Sequence, residues 1–362
     1  MLYERDFRAP RGARELLEAI RALDLPEVHI MEVCGTHTMA IAKAGLRQLL
    51  PPQIHLISGP GCPVCVTPAG VMDEILRLSG EPGVILTTYG DLLRVPGSVP
   101  GDNLQRRSAL GADVRMVYSP MDSLDLAEAN PDREVIFLGV GFETTAPGTA
   151  IAVREAKERG LKNFSVLSLL KRTDAALRAL IASEDFNVSG FLCPGHVATI
   201  VGEAGFRFLA EEYRIPGVIA GFETGDLLAA VYRLLRQIRL GEARLENEYT
   251  RAVSPEGNPM ALQVMAETFV SRDDVWRGLG TIPDSGFALG EAYADFDTER
   301  RFPIHPEDRE EVTGCRCGEI ICGRMEPKQC PLFGTGCQPE HPVGPCMVSS
   351  EGACAAAYKY AL

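Results

Sequence analysis

The chain has 362 residues, 46% of them hydrophobic, and carries 36 Lys and Arg against 49 Asp and Glu for a net charge of −13. That length and apolar content support two or three cores and exclude a disordered or fibrous chain. The acidic balance and the lack of any dense Lys/Arg run argue against a nucleic-acid partner, so protein or small-molecule partners are expected. The first residues, MLYERDFRAPRGARELLEAI, lack the apolar run of a signal peptide, and no window reaches the roughly 20 apolar residues of a membrane span. A cytoplasmic protein without a membrane partner is expected. There, clustered cysteines read as metal-binding or catalytic before they read as structural disulfides.

Short apolar runs alternate with amphipathic stretches along the chain. EVHIMEVC (27–34), QIHLIS (53–58), GVILTT (83–88) and DVRMVY (113–118) read as buried strands, with helical segments such as AIAKAGLRQLL (40–50) and GVMDEILRLSG (70–80) between them. After SPMDSLDLAEANPD (119–132) the pattern repeats with EVIFLGV (134–140), NFSVLSLL (163–170), VSGFLC (188–193) and PGVIAG (216–221). This predicts an α/β protein with two similar, mostly parallel-sheet units, assigned to residues 24–120 and 121–245. Beyond NEYTRAVSPEGNPM (247–260) the period fades, and from FPIHPEDREEV (302–312) onward Gly, Pro and Cys dominate. Residues 246–362, taken together with 1–23, are read as a third, loop-rich unit.

The second unit carries an internal echo, VGFETTAPG at 140–148 and AGFETGD at 220–226. Each follows a strand and precedes a helix, where backbone N–H groups and the helix dipole favour an anion or a carboxylate cap. Thr144, Thr145 and Thr224 are read either as simple helix caps or as part of a site.

Cysteine carries the chemical signal. Of 11 cysteines, seven fall between Cys315 and Cys354 with few large apolar residues between them, so a metal centre is expected to supply part of that unit's core. Soft thiolates select zinc or an iron–sulfur cluster. The paired C-x2-C knuckles of zinc ribbons are absent from this region, which favours iron–sulfur.

The motifs EVCGTHT, GPGCPVCVTP, YGDLLRVPG, GVGFETTAPG, CPGHVATIVG and CRCGEIICG…CPLFGTGC…GPCMVSSEGAC occur in that order from about Val33 to Cys354. Together they resemble the HypD family of hydrogenase maturation factors. The resemblance implies a scaffold on which the Fe(CN)2CO group of [NiFe]-hydrogenase is built, working with HypC, receiving cyanide from HypE in a transient HypC–HypD–HypE complex, and monomeric by itself. It implies two α/β domains around a cleft and a C-terminal [4Fe–4S] domain. It maps the cluster ligands onto Cys315, Cys322, Cys330 and Cys337, with Cys317 and Cys346 as an adjacent redox pair and Cys354 left over as a buried thiol. It assigns the iron carrying cyanide and carbon monoxide to Cys34, shared with a cysteine of HypC.

The residues themselves support such chemistry. Cys34 ends a strand, with His37 three residues on, so thiolate and imidazole can face one opening at the sheet's C-terminal edge, where α/β proteins bind ligands. A lone His is more often a hydrogen-bonding residue than a ligand, and His37 is read so, with ligation as the alternative. Cys62 and Cys65 have C-x-x-C spacing before a helix, which favours a redox dithiol over metal ligation. Asp91, Glu143 with Thr144 and Thr145, His196, Glu223 and Glu351 are candidates for hydrogen bonds to cyanide or for proton relay, or are caps and ion-pair members. Cys193, before Pro194, is read as structural. A free-standing iron–sulfur thiol/disulfide oxidoreductase resembling ferredoxin:thioredoxin reductase is the rival reading.

Overall fold

The computed structural model describes residues 10–306 and 314–360. All eight expected strands form: β1 (Val28–Glu32), β2 (Ile54–Ser58), β3 (Val84–Thr88), β4 (Val114–Met116), β5 (Glu134–Gly141), β6 (Phe164–Leu170), β7 (Gly190–Pro194) and β8 (Gly217–Ala220). A ninth, β9 (Leu245–Asn247), joins an edge. They build two parallel sheets, ordered β2-β1-β7-β8-β9 and β4-β3-β5-β6. Two α/β units and a cysteine-rich, loop-rich C-terminal region therefore make up the chain.

The strands are shared differently from the consecutive units 24–120 and 121–245. β3 and β4 pair with β5 and β6, and the chain returns to β1 for β7, in the register Ile30↔Gly190. The second sheet is thus inserted into the first. A parallel strand buried on both faces announces that it pairs, and its sequence says nothing about with which neighbour.

Residues 1–23 are also placed differently from expectation. Helix α1 (Pro10–Arg21) packs on the long helix Thr224–Leu240, and Ile20 joins a core with Val28, Leu228 and Leu235 of the first unit; residues 1–9 lie outside the described part. The predicted helix at 40–50 begins earlier and breaks. Helix α2 (Gly35–Lys43) stops before Gly45, whose φ of +63° is a left-handed conformation that favours glycine.

After a helix at Pro259–Thr268 comes an antiparallel hairpin, β10 (Phe269–Trp276) and β11 (Gly280–Leu289), which the polar run SRDD concealed. Its turn reaches the cysteine region. Gly278 has φ +79°, and a Cβ there would lie 2.5 Å from Gly318 Cα, so both chains come together only as glycines.

The C-terminal region is not a separate core. Cys317, Ile320, Cys346 and Met347 belong to the same buried cluster as Met31, Cys62, Leu86 and Trp276. Helix α3 (Ala353–Tyr360) lies on α2, which carries the C-terminal residues to the end of β1. Of the stretch 302–312, residues 307–312 lie outside the described part.

Candidate functional site

Cys34 is the extended residue that precedes α2 (φ −149°, ψ 122°), at the C-terminal edge of the first sheet. Its backbone is clamped by the loop that carries the C-x-x-C pair. Gly35 N–H donates to Gly61 O at 3.0 Å, and a Cβ on Gly61 would stand 2.2 Å from Cys34 N. Burial pushes the Cys34 thiol up to about 12, opposed by the backbone amides of His37 and Thr36 and reinforced by the Glu351 and Glu32 carboxylates. The free residue is therefore a neutral thiol, and a soft cation bound there must displace its proton.

Two carboxyls stand close enough to feel that charge. Glu32 is fully buried: Thr38 Oγ1 donates to Oε1 at 2.7 Å, Cys34 N–H approaches Oε2 at 3.5 Å, and Arg47 lies 3.7 Å from Oε1. Burial nevertheless pushes it up to about 7. Glu351 arrives from the C-terminal region; Thr36 Oγ1 donates to its Oε1 at 2.6 Å, and a Cβ on Gly35 would lie 2.3 Å from Glu351 Cβ. The neighbouring Ser349 and Ser350 hydroxyls donate to Asp91 Oδ2 at 3.2 and 3.4 Å. Asp91 follows β3, so the SSEG segment ties both sheets to the first turn of α2.

His37 is buried beside Cys34's turn. Its Nε2 lies 3.2 Å from Ala220 O and 3.0 Å from Gly221 O, and because carbonyls only accept, Nε2 carries the proton. Nδ1 is left bare and buried, without a hydrogen-bond partner. Burial pushes the ring down to about 4, so it is neutral. Phe222 packs tilted against His37 at 4.8 Å and stacks on the exposed His196 at 3.8 Å, which brings His196 to the same edge.

The two GFET motifs diverge. Glu143 turns into the second unit and accepts from Thr173 N at 2.8 Å and Thr173 Oγ1 at 2.7 Å, where burial pushes it up to about 7. Thr145 Oγ1 donates to Phe142 O, and Thr144 is exposed. Glu223 starts the helix Thr224–Leu240, and its N–H donates to Asp226 Oδ2 at 3.2 Å. Cys193 is fully buried, and burial alone pushes its thiol up, as a structural residue requires.

Cys62 and Cys65 are joined by a disulfide. The helix after them begins only at Ala69, so both cysteines sit in the loop before its first turn. The hairpin turn lies against this loop. Arg277, only 7% exposed, donates from its backbone N–H to Val66 O at 2.8 Å and from Nε to Thr67 O at 3.0 Å. Its charge also reaches Cys317 and Cys346.

Six thiols, Cys315, Cys317, Cys330, Cys337, Cys346 and Cys354, line one cavity whose other walls include Ile320, Leu332, Phe333 and Met347. Contact with Cys315 pulls the Cys317 thiol down, but contact with Cys346 and burial outweigh it and hold it well above the ordinary value. The Arg277 charge favours the thiolate of both Cys317 and Cys346. Cys322 stands apart, its thiol directed to Gly278 O at 3.4 Å. An all-sulfur donor set in an apolar wall suits zinc or an iron–sulfur group and no hard cation.

Sequence reading missed Glu32 and Arg277. A single carboxylate inside the apolar run HIMEVC was a usable signal for the first. Arg277 had none, because its role depends on the hairpin.

The HypD family model, described as "Hydrogenase formation hypA family", matches residues 11–361. The chain is 45% identical to the hydrogenase maturation factor HypD of Rhodobacter capsulatus over 372 residues, covering 99% of this chain and 98% of that protein. It is 45% identical to HypD of Escherichia coli (strain K12) over 369 residues, with 99% and 98% coverage, and 46% identical to HypD of Azotobacter vinelandii over 368 residues, with 99% and 97% coverage.

Proposed function

Because the chain belongs to the HypD family of hydrogenase maturation factors, we propose that it is the scaffold on which the Fe(CN)2CO group of [NiFe]-hydrogenase is assembled, in the cytosol, with HypC and with cyanide delivered by HypE. The iron is cargo, held by Cys34 together with a cysteine of HypC. The observation that carries this reading is the buried, protonated Cys34 thiol with the two carboxyls Glu32 and Glu351 beside it, in the same helix turn as His37, whose buried Nδ1 has no hydrogen-bond partner. A soft thiolate suits low-spin iron, and the proton it loses has acceptors beside it. His37 Nδ1 is free to ligate or to accept a hydrogen bond. Asp91 holds the SSEG segment, and His196 with Phe222 closes the His37 side.

A [4Fe–4S] cluster is assigned to Cys315, Cys322, Cys330 and Cys337. The all-thiol cavity fits such a group, and Cys322 must turn from Gly278 O to complete the set. When bound, the cluster supplies single electrons. The chain's own groups do the rest. Cys317 and Cys346 are in contact, Arg277 spans from them to the Cys62–Cys65 loop, and Gly61 spans from that loop to Cys34. Reduction of the Cys62–Cys65 disulfide by two electrons and two protons gives a dithiol; its reoxidation to the disulfide would return them, cleaving the carbon–sulfur bond of the cyanide donor so that its sulfur leaves as a thiol and cyanide, its proton lost, passes to the iron at Cys34.

The rival oxidoreductase reading draws on the same disulfide. It predicts turnover of generic disulfides without Cys34. The scaffold reading predicts cyanide and carbonyl stretches in the infrared spectrum of the anaerobically purified complex with HypC, lost in Cys34→Ala. Undiminished nitrile bands in that variant would sink the scaffold assignment.

A further inference from the structure

At the opposite end of β1 from Cys34 lies a cluster that the assembly chemistry leaves unused. His29 and His55 are direct register partners on the neighbouring parallel strands β1 and β2, so their side chains leave the sheet on one face. Their rings stack at 4.9 Å. Glu27, just before β1, places Oε1 3.6 Å from His29 Nε2 and 3.3 Å from His55 Nε2. Ligand atoms of the three residues all lie within 4.8 Å of one another.

We propose that Glu27, His29 and His55 bind a divalent late first-row metal ion, with zinc as the reference ion. Around a tetrahedral ion with nitrogen and oxygen bonds near 2.0–2.1 Å, ligand atoms stand ~3.3 Å apart. Both carboxylate-to-imidazole separations already meet that spacing within a few tenths of an ångström. The two imidazole nitrogens stand within 4.8 Å, and rotation about their side chains can bring them to the same spacing. Two neutral imidazoles and one carboxylate leave the bound ion a net charge of one and an open fourth position.

The open position has room. His29 and His55 border a cavity of about 400 Å³ between the first sheet and residues 323–329 of the C-terminal region. Two cations on its wall are already engaged: Arg47 with Leu56 O and Glu32, and Arg324 with Asp185 at 3.7 Å. Lys328 is exposed and screened by solvent. An ion here would bridge the first strands to the surface on which the cysteine region rests.

The test must see histidines and ignore thiols. The full-length, cluster-bearing protein is treated with diethylpyrocarbonate with and without ZnCl2, and modification of each histidine is followed by mass spectrometry. Zinc at ten times its dissociation constant should slow modification of both His29 and His55 about tenfold, while His341, remote in sequence and exposed, keeps its rate. Glu27→Ala, a change at an exposed residue, should abolish most of that protection at the same zinc concentration. Equal rates for His29 and His55 with and without zinc, protection of only one of them, or full protection in Glu27→Ala would each overturn the three-ligand site.

Discussion

The Cys34 pocket and the cavity between Cys315 and Cys354 are both built on thiols, most of them buried, yet different forces hold them. Around Cys34 one thiol sits in a frame of satisfied polar contacts: Thr38 to Glu32, Thr36 to Glu351, His37 to Ala220 and Gly221, and Gly35 to Gly61. The frame stands without the sulfur. The cavity wall is six cysteines set among apolar side chains, so the thiols themselves are much of the structure there. One thiol can be removed as a probe of function, whereas the others answer for fold and function together.

The contrast is sharpest when the cavity is attacked. Serine at Cys315, Cys322, Cys330 or Cys337 is expected to bleach the broad visible absorption and to cost about 3 kcal/mol or more in denaturant unfolding, since a bound group stabilises only the folded chain. Cys317→Ser should keep the colour. Loss of colour in Cys317→Ser with retention in Cys315→Ser would reverse the assigned roles.

Arg277 joins the two regions, so its loss should be the next largest effect. Arg277→Met leaves Thr67 O without its buried donor and removes the cation beside Cys317 and Cys346, an expected cost of about 2–4 kcal/mol. It should also slow alkylation of both thiols at mildly alkaline pH, because the cation favours their thiolates. A loss below about 1 kcal/mol with unchanged alkylation would mean that the hairpin turn is only a spacer.

Cys34→Ala tests the polar frame directly. It should change unfolding by about 1 kcal/mol or less and leave the cluster absorption intact, because none of these frame contacts ends on the Cys34 sulfur. Collapse of the colour in this variant would show that the two regions are one structural unit.

The smallest effect concerns pH and the motif that left the site. Burial raises Glu143 from 4.5 to about 7, so its contribution to stability is complete below about 4.5 and is lost as pH rises through about 7. In Glu143→Gln that part of the decline should disappear from the melting-temperature profile, leaving the similar contributions of Glu32 and Glu248, which burial also raises to about 7. An unchanged profile would mean that Glu143 remains charged between its two Thr173 donors.

Much of this protein is legible in its residues. Eight strands, the parallel α/β class, the loop-rich cysteine region and Cys34 at a strand's C-terminal edge follow from period, β-branched content and spacing, because burial on both faces demands those side chains wherever the strand is placed. The capping role of Glu143 was already one of two readings of its motif. What tertiary structure alone decided is adjacency. The return of β7 to β1 makes residues far apart in the chain share one edge, which is how Ala220 and Gly221 meet His37, and the docking of the C-terminal segment is how Ser349 meets Asp91. The hairpin at Phe269–Leu289 was hidden because the middle of β10, Ser271 to Asp274, is polar on both faces and a register shift between Arg272 and Asp274 breaks the alternation there. The same hairpin carries Arg277 to the disulfide loop, and the pairing of β1 with β2 sets His29 opposite His55. Local sequence dictates what a segment can become, but contacts between segments depend on free energies summed over the whole core, which no single stretch contains.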